Sequence, residues 1–181
     1  MEKTWPDTVG IKVGILTISD RSSRGERPDV SGQVISELVT QQGWQIVQTG
    51  IVPDERPEIS ALLSSWADSD EIDLILTTGG TGFSPRDITP EATLAVIDRL
   101  APGLAEAMRL ESLKVTPHAM LSRAVAGIRK RTLIINLPGS PKAVTENLKV
   151  VIPVLPHAIQ LLKDDPQSEA NHQRLTKDLQ S

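Results

Sequence analysis

The chain contains no cysteine. That excludes a disulfide, a thiolate metal site and a catalytic thiol. Histidine is scarce: His118, His157 and His172 lie far apart in sequence and form no metal-ligand pattern. Positive charge is not in excess, since 19 Lys and Arg stand against 23 Asp and Glu, for a net charge of −4. A general nucleic-acid binder would show a basic patch, so nucleic acid is not an expected partner. The opening stretch, MEKTWPDTVG, has no apolar segment of the kind found in a signal peptide. No apolar run approaches the roughly 20 residues that span a bilayer, so no membrane is expected either. These absences lead to the expectation of a soluble, cytoplasmic protein. A length of 181 residues suits one domain with a full core.

What is present is organised around Leu74–Thr93, LILTTGGTGFSPRDITPEAT. Leu74 to Thr78 has the apolar and β-branched composition of a buried strand. Gly79-Gly80-Thr81-Gly82 can take backbone angles closed to other residues. Thr89 as N-cap, Pro90 at the first helical position and Glu91 in the first turn then predict a helix. A strand feeding a glycine loop exposes backbone N–H groups to an anion. Alone, GGTG equally fits a tight surface turn closed by an Arg86–Asp87 pair. The presence of Thr78, Thr81, Ser84, Arg86 and Asp87 in one loop favours a phosphate site.

Taken in order, residues 1–9 read as a lead-in and Ile11–Ser19 as a buried strand of a parallel sheet. The strand ends in Ser19-Asp20-Arg21-Ser22, at the edge where open α/β sheets bind ligands; a capped loop before a helix fits these residues equally well. Val34, Ile35, Leu38 and Val39 fall at helical spacing within Ser31–Gln42, and Gly43 stops that helix. Trp44–Val52 is the next strand, closing in Pro53-Asp54-Glu55. Arg56–Ala67 reads as a helix with Ile59, Leu62, Leu63 and Trp66 inward. After the glycine loop come a helix over Pro90–Leu100, a break at Pro102-Gly103 and a helix over Leu104–Val115. Ala124–Ile128 and Thr132–Leu137 read as a hairpin around Arg129-Lys130-Arg131. The second of these strands runs into Pro138-Gly139-Ser140, a glycine turn opening another helix. Pro153 and Pro156 kink or restart that helix, and His157–Lys163 completes the packed structure. Residues 164–181 read as a polar tail.

Strands alternating with helices, plus one hairpin, predict a single domain over 10–163. Its fold class is a three-layer α/β sandwich with a mostly parallel sheet, one antiparallel edge strand and helices on both faces. Parallel strands would bring Ser19-Asp20, Pro53-Asp54, the GGTG loop and the NLPGS turn to one edge. Backbone N–H groups and hydroxyls there suit a phosphorylated ligand. Asp54 and Asp87 suit Mg²⁺, which binds through one or two carboxylates and the ligand's own phosphates. Positioning and charge neutralisation are sufficient for phosphoryl or nucleotidyl transfer. No lysine follows the glycine loop, so it is not a P-loop, and GGTGFS is not a dinucleotide fingerprint. The residues themselves lead to a Mg-dependent nucleotide or phosphate-ligand protein of unspecified reaction.

TTGGTGFSPRDITPEAT, IVPDE and NLPGSPK together resemble the molybdopterin-binding domain family of MogA/MoaB type, which includes the molybdopterin adenylyltransferases and the G domain of gephyrin-like proteins. LTISD at Leu16–Asp20, SLKVTPHAMLSR at Ser112–Arg123, GIRKRTLIINLPGS at Gly127–Ser140 and VLPHAIQLL at Val154–Leu162 extend the likeness over about residues 10–163. The resemblance implies a homotrimer that binds molybdopterin and Mg-ATP, transfers AMP to the pterin phosphate and releases pyrophosphate before molybdate insertion. It implies catalytic and metal-binding roles for Asp54 and Asp87. Gly79, Gly80, Thr81 and Gly82, with Pro138, Gly139 and Ser140, fall on nucleotide and phosphate-binding segments. Ser19 and Asp20 join that set from the first strand end, and Ser112 and Ser122 fall on contacts to the pterin. A molybdenum insertase is an implied partner. An inactive pterin-binding paralogue would keep the glycine loops and lose the acidic residues, and a gephyrin-type scaffold would require clustering partners or a fused domain.

Overall fold

The most apolar runs of the chain become its central strands. A computed structural model describes residues 10–163, so the readings of 1–9 as lead-in and 164–181 as tail lie outside the described residues. In chain order the elements are β1 (Lys12–Ile18), the single turn α1 (Asp20–Ser23), α2 (Val30–Gln41), β2 (Gln45–Val52), α3 (Arg56–Asp68), β3 (Leu74–Thr78), α4 (Thr89–Leu94), β4 (Arg99–Leu100), α5 (Pro102–Leu113), a 3₁₀ turn (Pro117–Leu121), β5 (Ala126–Arg129), β6 (Thr132–Leu137), α6 (Pro141–Val151), a second 3₁₀ turn (Ile152–Val154) and α7 (Leu155–Leu162).

The sheet order is β2-β1-β3-β6-β5-β4. The first four strands are mutually parallel, while β5 runs antiparallel to both β6 and β4. Every residue of β3 and β6 is buried, as a strand covered on both faces requires. Successive side chains point to opposite faces. Val13, Ile15, Leu74, Leu76, Leu133 and Ile135 meet Ile35 and Val39 of α2, Met108 of α5, Val144 and Leu148 of α6 and Ile159 of α7. Leu16, Ile18, Ile75 and Ile134 meet Ile59, Leu63 and Trp66 of α3 and Ala92 of α4 on the other side. The result is the expected three-layer sandwich.

Three local expectations fail, the first two for tertiary reasons. The helix read over Pro90–Leu100 stops at Leu94, and Arg99–Leu100 becomes a strand instead. The Asp98 N–H donates to Ile128 O and the Ala101 N–H to Ala126 O, so pairing with β5 captures this backbone and puts β4 outside the antiparallel strand. Thr89 is not the N-cap; Ile88 occupies that position without a side-chain bond, while Thr89 Oγ1 donates to Gly79 O at 2.8 Å. Pro102-Gly103 opens α5 rather than breaking a helix, since proline fits a first helical turn. The proline restart before α7 is as expected. Among the described residues no helix is long and apolar enough to cross a membrane.

Candidate active site

Four parallel strands discharge their loops at one edge, and the glycine loop lies among them. Gly79 has φ +99° and Gly80 φ +62°. A Cβ on Gly79 would stand 2.2 Å from Ile18 O, and one on Gly80 2.5 Å from Thr89 Oγ1. Both positions therefore require glycine, by backbone angle and by space. Thr78 Oγ1 donates to Pro138 O at 2.7 Å, tying this loop to the second glycine turn. Ser31 Oγ donates to Gly139 O at 2.7 Å and joins α2 to the same turn. Ser140 accepts from Ala143 N as N-cap of α6.

The acidic residues form a lattice, with separate roles. Asp54 Oδ2 accepts from Asp20 N at 2.9 Å, and Asp20 Oδ1 accepts from Asp54 N at 3.1 Å. The ends of β1 and β2 thus cap each other. The alternative of a surface turn closed by an Arg86–Asp87 pair does not hold. Arg86 instead grips Asp20 through Nε at 3.0 Å and Nη2 at 2.8 Å, and reaches Glu55 through Nη1 at 2.9 Å. A fork-shaped guanidinium matches a carboxylate in two bonds, whereas Asp87 one residue away cannot be reached that way. Arg86 beside it, helped by the Asp54 N–H, holds the Asp20 carboxyl below its usual range. Burial pushes the Asp54 carboxyl up, opposed by the bond from Asp20 N and reinforced by the Asp20 charge. Asp87 folds back on its own loop: its N–H donates to Ser84 O at 2.8 Å, and Oδ2 accepts from Ser84 N at 2.9 Å.

Two cavities meet at this edge. The smaller, about 210 Å³, is lined by Ser19, Asp54, Gly79, Gly80, Asp87 and Gly139, together with Thr17, Arg27, Asp29 and Ser31. The larger, about 440 Å³, is lined by Gly80, Thr81, Gly82, Asp87, Ser112, Ser122, Pro138, Gly139 and Ser140, with Met108, Arg109, Glu146 and Asn147. Gly80, Asp87 and Gly139 belong to both. Of the thirteen residues expected at the site, Asp20 alone lines neither cavity; it is engaged with Arg86 and Asp54. A wider hollow of about 690 Å³ lies among Lys12, Asp73, Lys130 and Lys163, at the opposite ends of the strands, and shares none of these residues.

Several lining residues escaped the sequence reading. Asp29 caps α2 by accepting from Gly32 N at 2.8 Å and takes the Thr17 hydroxyl at 2.7 Å. An aspartate directly before an apolar residue that opens a helical pattern is an N-cap signal, and it would have moved the start of α2 back to Val30. Asn147 is buried and donates to Ser112 Oγ at 3.0 Å. A polar residue among Val144, Leu148 and Val151 on an apolar helix face was its available signal. Arg27 and Arg109 carried none. The smaller cavity, lined by Asp29, Asp54 and Asp87 beside the two glycine turns, suits a metal-bound polyphosphate, and the larger, more apolar one suits a flat organic ligand with a polar end.

Known proteins resemble the chain over most of its length. The chain is 46% identical over 154 residues to the molybdopterin adenylyltransferase of Helicobacter pylori strain J99, covering 84% of this chain and 88% of that one. It is 46% identical over 176 residues to a gephyrin of Dictyostelium discoideum, covering 92% of this chain; the match spans only 24% of that longer protein. The crystal structure of the molybdopterin biosynthesis enzyme MoaB from Thermus thermophilus superimposes with a TM-score of 0.81 at 54% identity, over 86% of this chain and 98% of that one. Residues 14–157, from within β1 into α7, match the probable molybdopterin binding domain, and the chain belongs to that family.

Proposed function

We propose that this protein is a molybdopterin adenylyltransferase of molybdenum cofactor biosynthesis, using Mg-ATP. The observation that carries the reading is the meeting of two cavities at Gly80, Asp87 and Gly139, one acidic and loop-lined, the other larger and more apolar. The smaller takes the triphosphate of ATP. The larger takes the pterin, with Ser112 and Ser122 beside it. The terminal phosphate oxygen of molybdopterin attacks the α-phosphorus of ATP across the shared wall. The bond from that phosphorus to the bridging oxygen breaks, and pyrophosphate leaves with its electron pair. The names of the relatives support this substrate pair.

Asp54 and Asp87 would hold Mg²⁺. Their oxygen donors are of the type it prefers, and both line the smaller cavity. Burial already disfavours the charge on Asp54, and Arg86 makes its hydrogen bonds to Asp20 and Glu55 rather than to Asp54, so a cation at Asp54 has a charge to neutralise. Among the described residues no group of three or more His, Asp or Glu is arranged to hold an ion. That fits a metal that takes its remaining ligands from phosphate and water. When bound, Mg²⁺ supplies neutralisation of the developing phosphate charge. The loops do the rest: backbone N–H groups at Gly80 and Gly139 orient the phosphates, and the mutual caps of Asp20 and Asp54 hold the metal-binding carboxylate in place.

A homotrimer, a cytoplasmic location and cooperation with a molybdenum insertase belong to the same proposal. Within Ile152–Leu162, Leu155 and Ile159 turn into the chain's own core, leaving Val154 and Leu161 exposed. Leu110, Val115 and Met120, each more than half exposed, are further apolar side chains that contact between copies would cover. The deciding experiment is incubation with molybdopterin and Mg-ATP, with adenylylated pterin and pyrophosphate measured by mass. Product is expected only with Mg²⁺. Equal product in excess EDTA would remove the metal from the mechanism, and no product would remove the activity.

A further inference from the structure

Arg123 closes the stretch Ser112–Arg123, yet the adenylyl-transfer chemistry does not use it. Its guanidinium turns away from the 3₁₀ turn that precedes it and enters the glycine loop. Nε donates to Gly82 O at 2.7 Å, while the two terminal nitrogens reach Asp87 O and Glu91 Oε1. Its backbone N–H donates to Thr81 O at 2.9 Å. One residue therefore binds three carbonyls of the loop, at Thr81, Gly82 and Asp87, and balances its charge against a glutamate in the first turn of α4. The N–H of Asp87 is held from the other side by Ser84 O. The backbone of Asp87 is thus fixed at both ends, while the neighbouring Ser122 lines the larger cavity.

We propose that Arg123 is a positioning residue for Asp87, linking the wall of the larger cavity to the carboxylate shared by both. The proposal rests on the adenylyl-transfer reading only in taking Asp87 as the group positioned. Three acceptors in separate directions need a planar fork with five N–H groups. A lysine ammonium, a point donor, keeps the charge pair with Glu91 but cannot also hold both Gly82 O and Asp87 O. A loop loosened by a fraction of an ångström moves Asp87 relative to both ligands at once, and misplacements of that order lower turnover strongly.

The test is a mutant cycle of Arg123→Lys, Asp87→Asn and the double variant, read by kcat, by KM for molybdopterin and by binding of Mn²⁺ alone, followed by water proton relaxation. Arg123→Lys should lower kcat at least about tenfold while KM for molybdopterin stays within about twofold. It should weaken Mn²⁺ binding at least about threefold, and in the Asp87→Asn background it should change kcat by less than about twofold, because residues acting as one unit are not additive. A double variant that shows the product of the two single losses overturns the proposal. So does Mn²⁺ affinity unchanged by Arg123→Lys, or a wild-type protein that binds Mn²⁺ no better than Asp87→Asn. Should wild type make no adenylylated pterin, that failure belongs to the proposed reaction, and Mn²⁺ binding still judges Arg123. Should Arg123→Lys not fold, Glu91→Gln, which keeps an acceptor but removes the charge that holds the fork, takes its place with the same expected and overturning results.

Discussion

Gly80→Ala isolates what the glycine loop contributes, and its cost can be worked from the geometry. At φ +62° an alanine sits in left-handed backbone, at about 1–2 kcal/mol. Its Cβ would also stand 2.5 Å from Thr89 Oγ1 and 3.1 Å from Asp54 Oδ1. Thr89 must then move, breaking its 2.8 Å bond to Gly79 O in a fully buried position, for a further roughly 1–3 kcal/mol. The sum, about 2–5 kcal/mol, corresponds to a fall of roughly 10 °C in Tm for a domain of this size. The loop thus fails before any phosphate is involved, and a bulkier residue such as Gly80→Val reports loop collapse rather than ligand contact. Gly103→Ala is the control: it lies in α5 with an ordinary φ and nothing within 4 Å of its Cβ. It should leave Tm unchanged or raise it slightly. The assay is thermal unfolding by circular dichroism at one fixed protein concentration, since assembly would make Tm depend on it. A Gly80→Ala protein melting within about 2 °C of wild type would refute the argument, because it would mean less than about 1 kcal/mol lost.

Other perturbations test the charges. Asp54→Asn and Asp87→Asn should each reduce turnover at least about a hundredfold while molybdopterin affinity changes little, and near-normal rates would reduce both to turn residues. Burial raises the Asp54 carboxyl above 3.8, so the native state holds its proton longer than the unfolded chain, and stability falls as pH rises from 3.8 through the raised value. Asp54→Asn removes that loss, so its urea midpoint at pH 7 without metal should exceed that of wild type; a lower midpoint contradicts the burial argument. Asp68 has the opposite sign: the Arg129 and Lys130 side chains lower its carboxyl from 3.8 to about 2. Its contribution is present above 3.8 and is lost as pH falls toward 2, so Asp68→Asn should flatten the urea midpoint over that interval, and parallel curves would dismiss the pair as a contributor. Light scattering at micromolar concentration should return three times the chain mass of 19.6 kDa, and a stable monomer would end the trimer proposal.

Much of this protein is legible in the chain because the relevant physics is local. Short apolar, β-branched runs bounded by turn residues at Ile11–Ser19, Leu74–Thr78 and Thr132–Leu137 favour strands buried on both faces, and β1, β3 and β6 are those strands. Gly79 and Gly80 announce positive backbone angles, and both have them. Polar turns after apolar runs, on parallel strands, must share one edge, and the candidate site is there. Local rules failed where distant partners intervened. Leu100 reads as helix until β5 offers its backbone, and Thr89 reads as a cap until Gly79 O accepts its hydroxyl. Nothing local to Arg86 points to Asp20, 66 residues away, which it binds. Arg123 crosses 41 residues to reach Gly82, and Ser31 crosses 108 to reach Gly139. Periodicity and turn chemistry act over a few residues, so the strands, the glycine turns and the edge they share are written in the chain. Which carboxylates line a cavity, which arginine holds the loop, and how one edge divides into two cavities depend on side chains from distant parts of the chain, and these meet only when the sheet and helices pack.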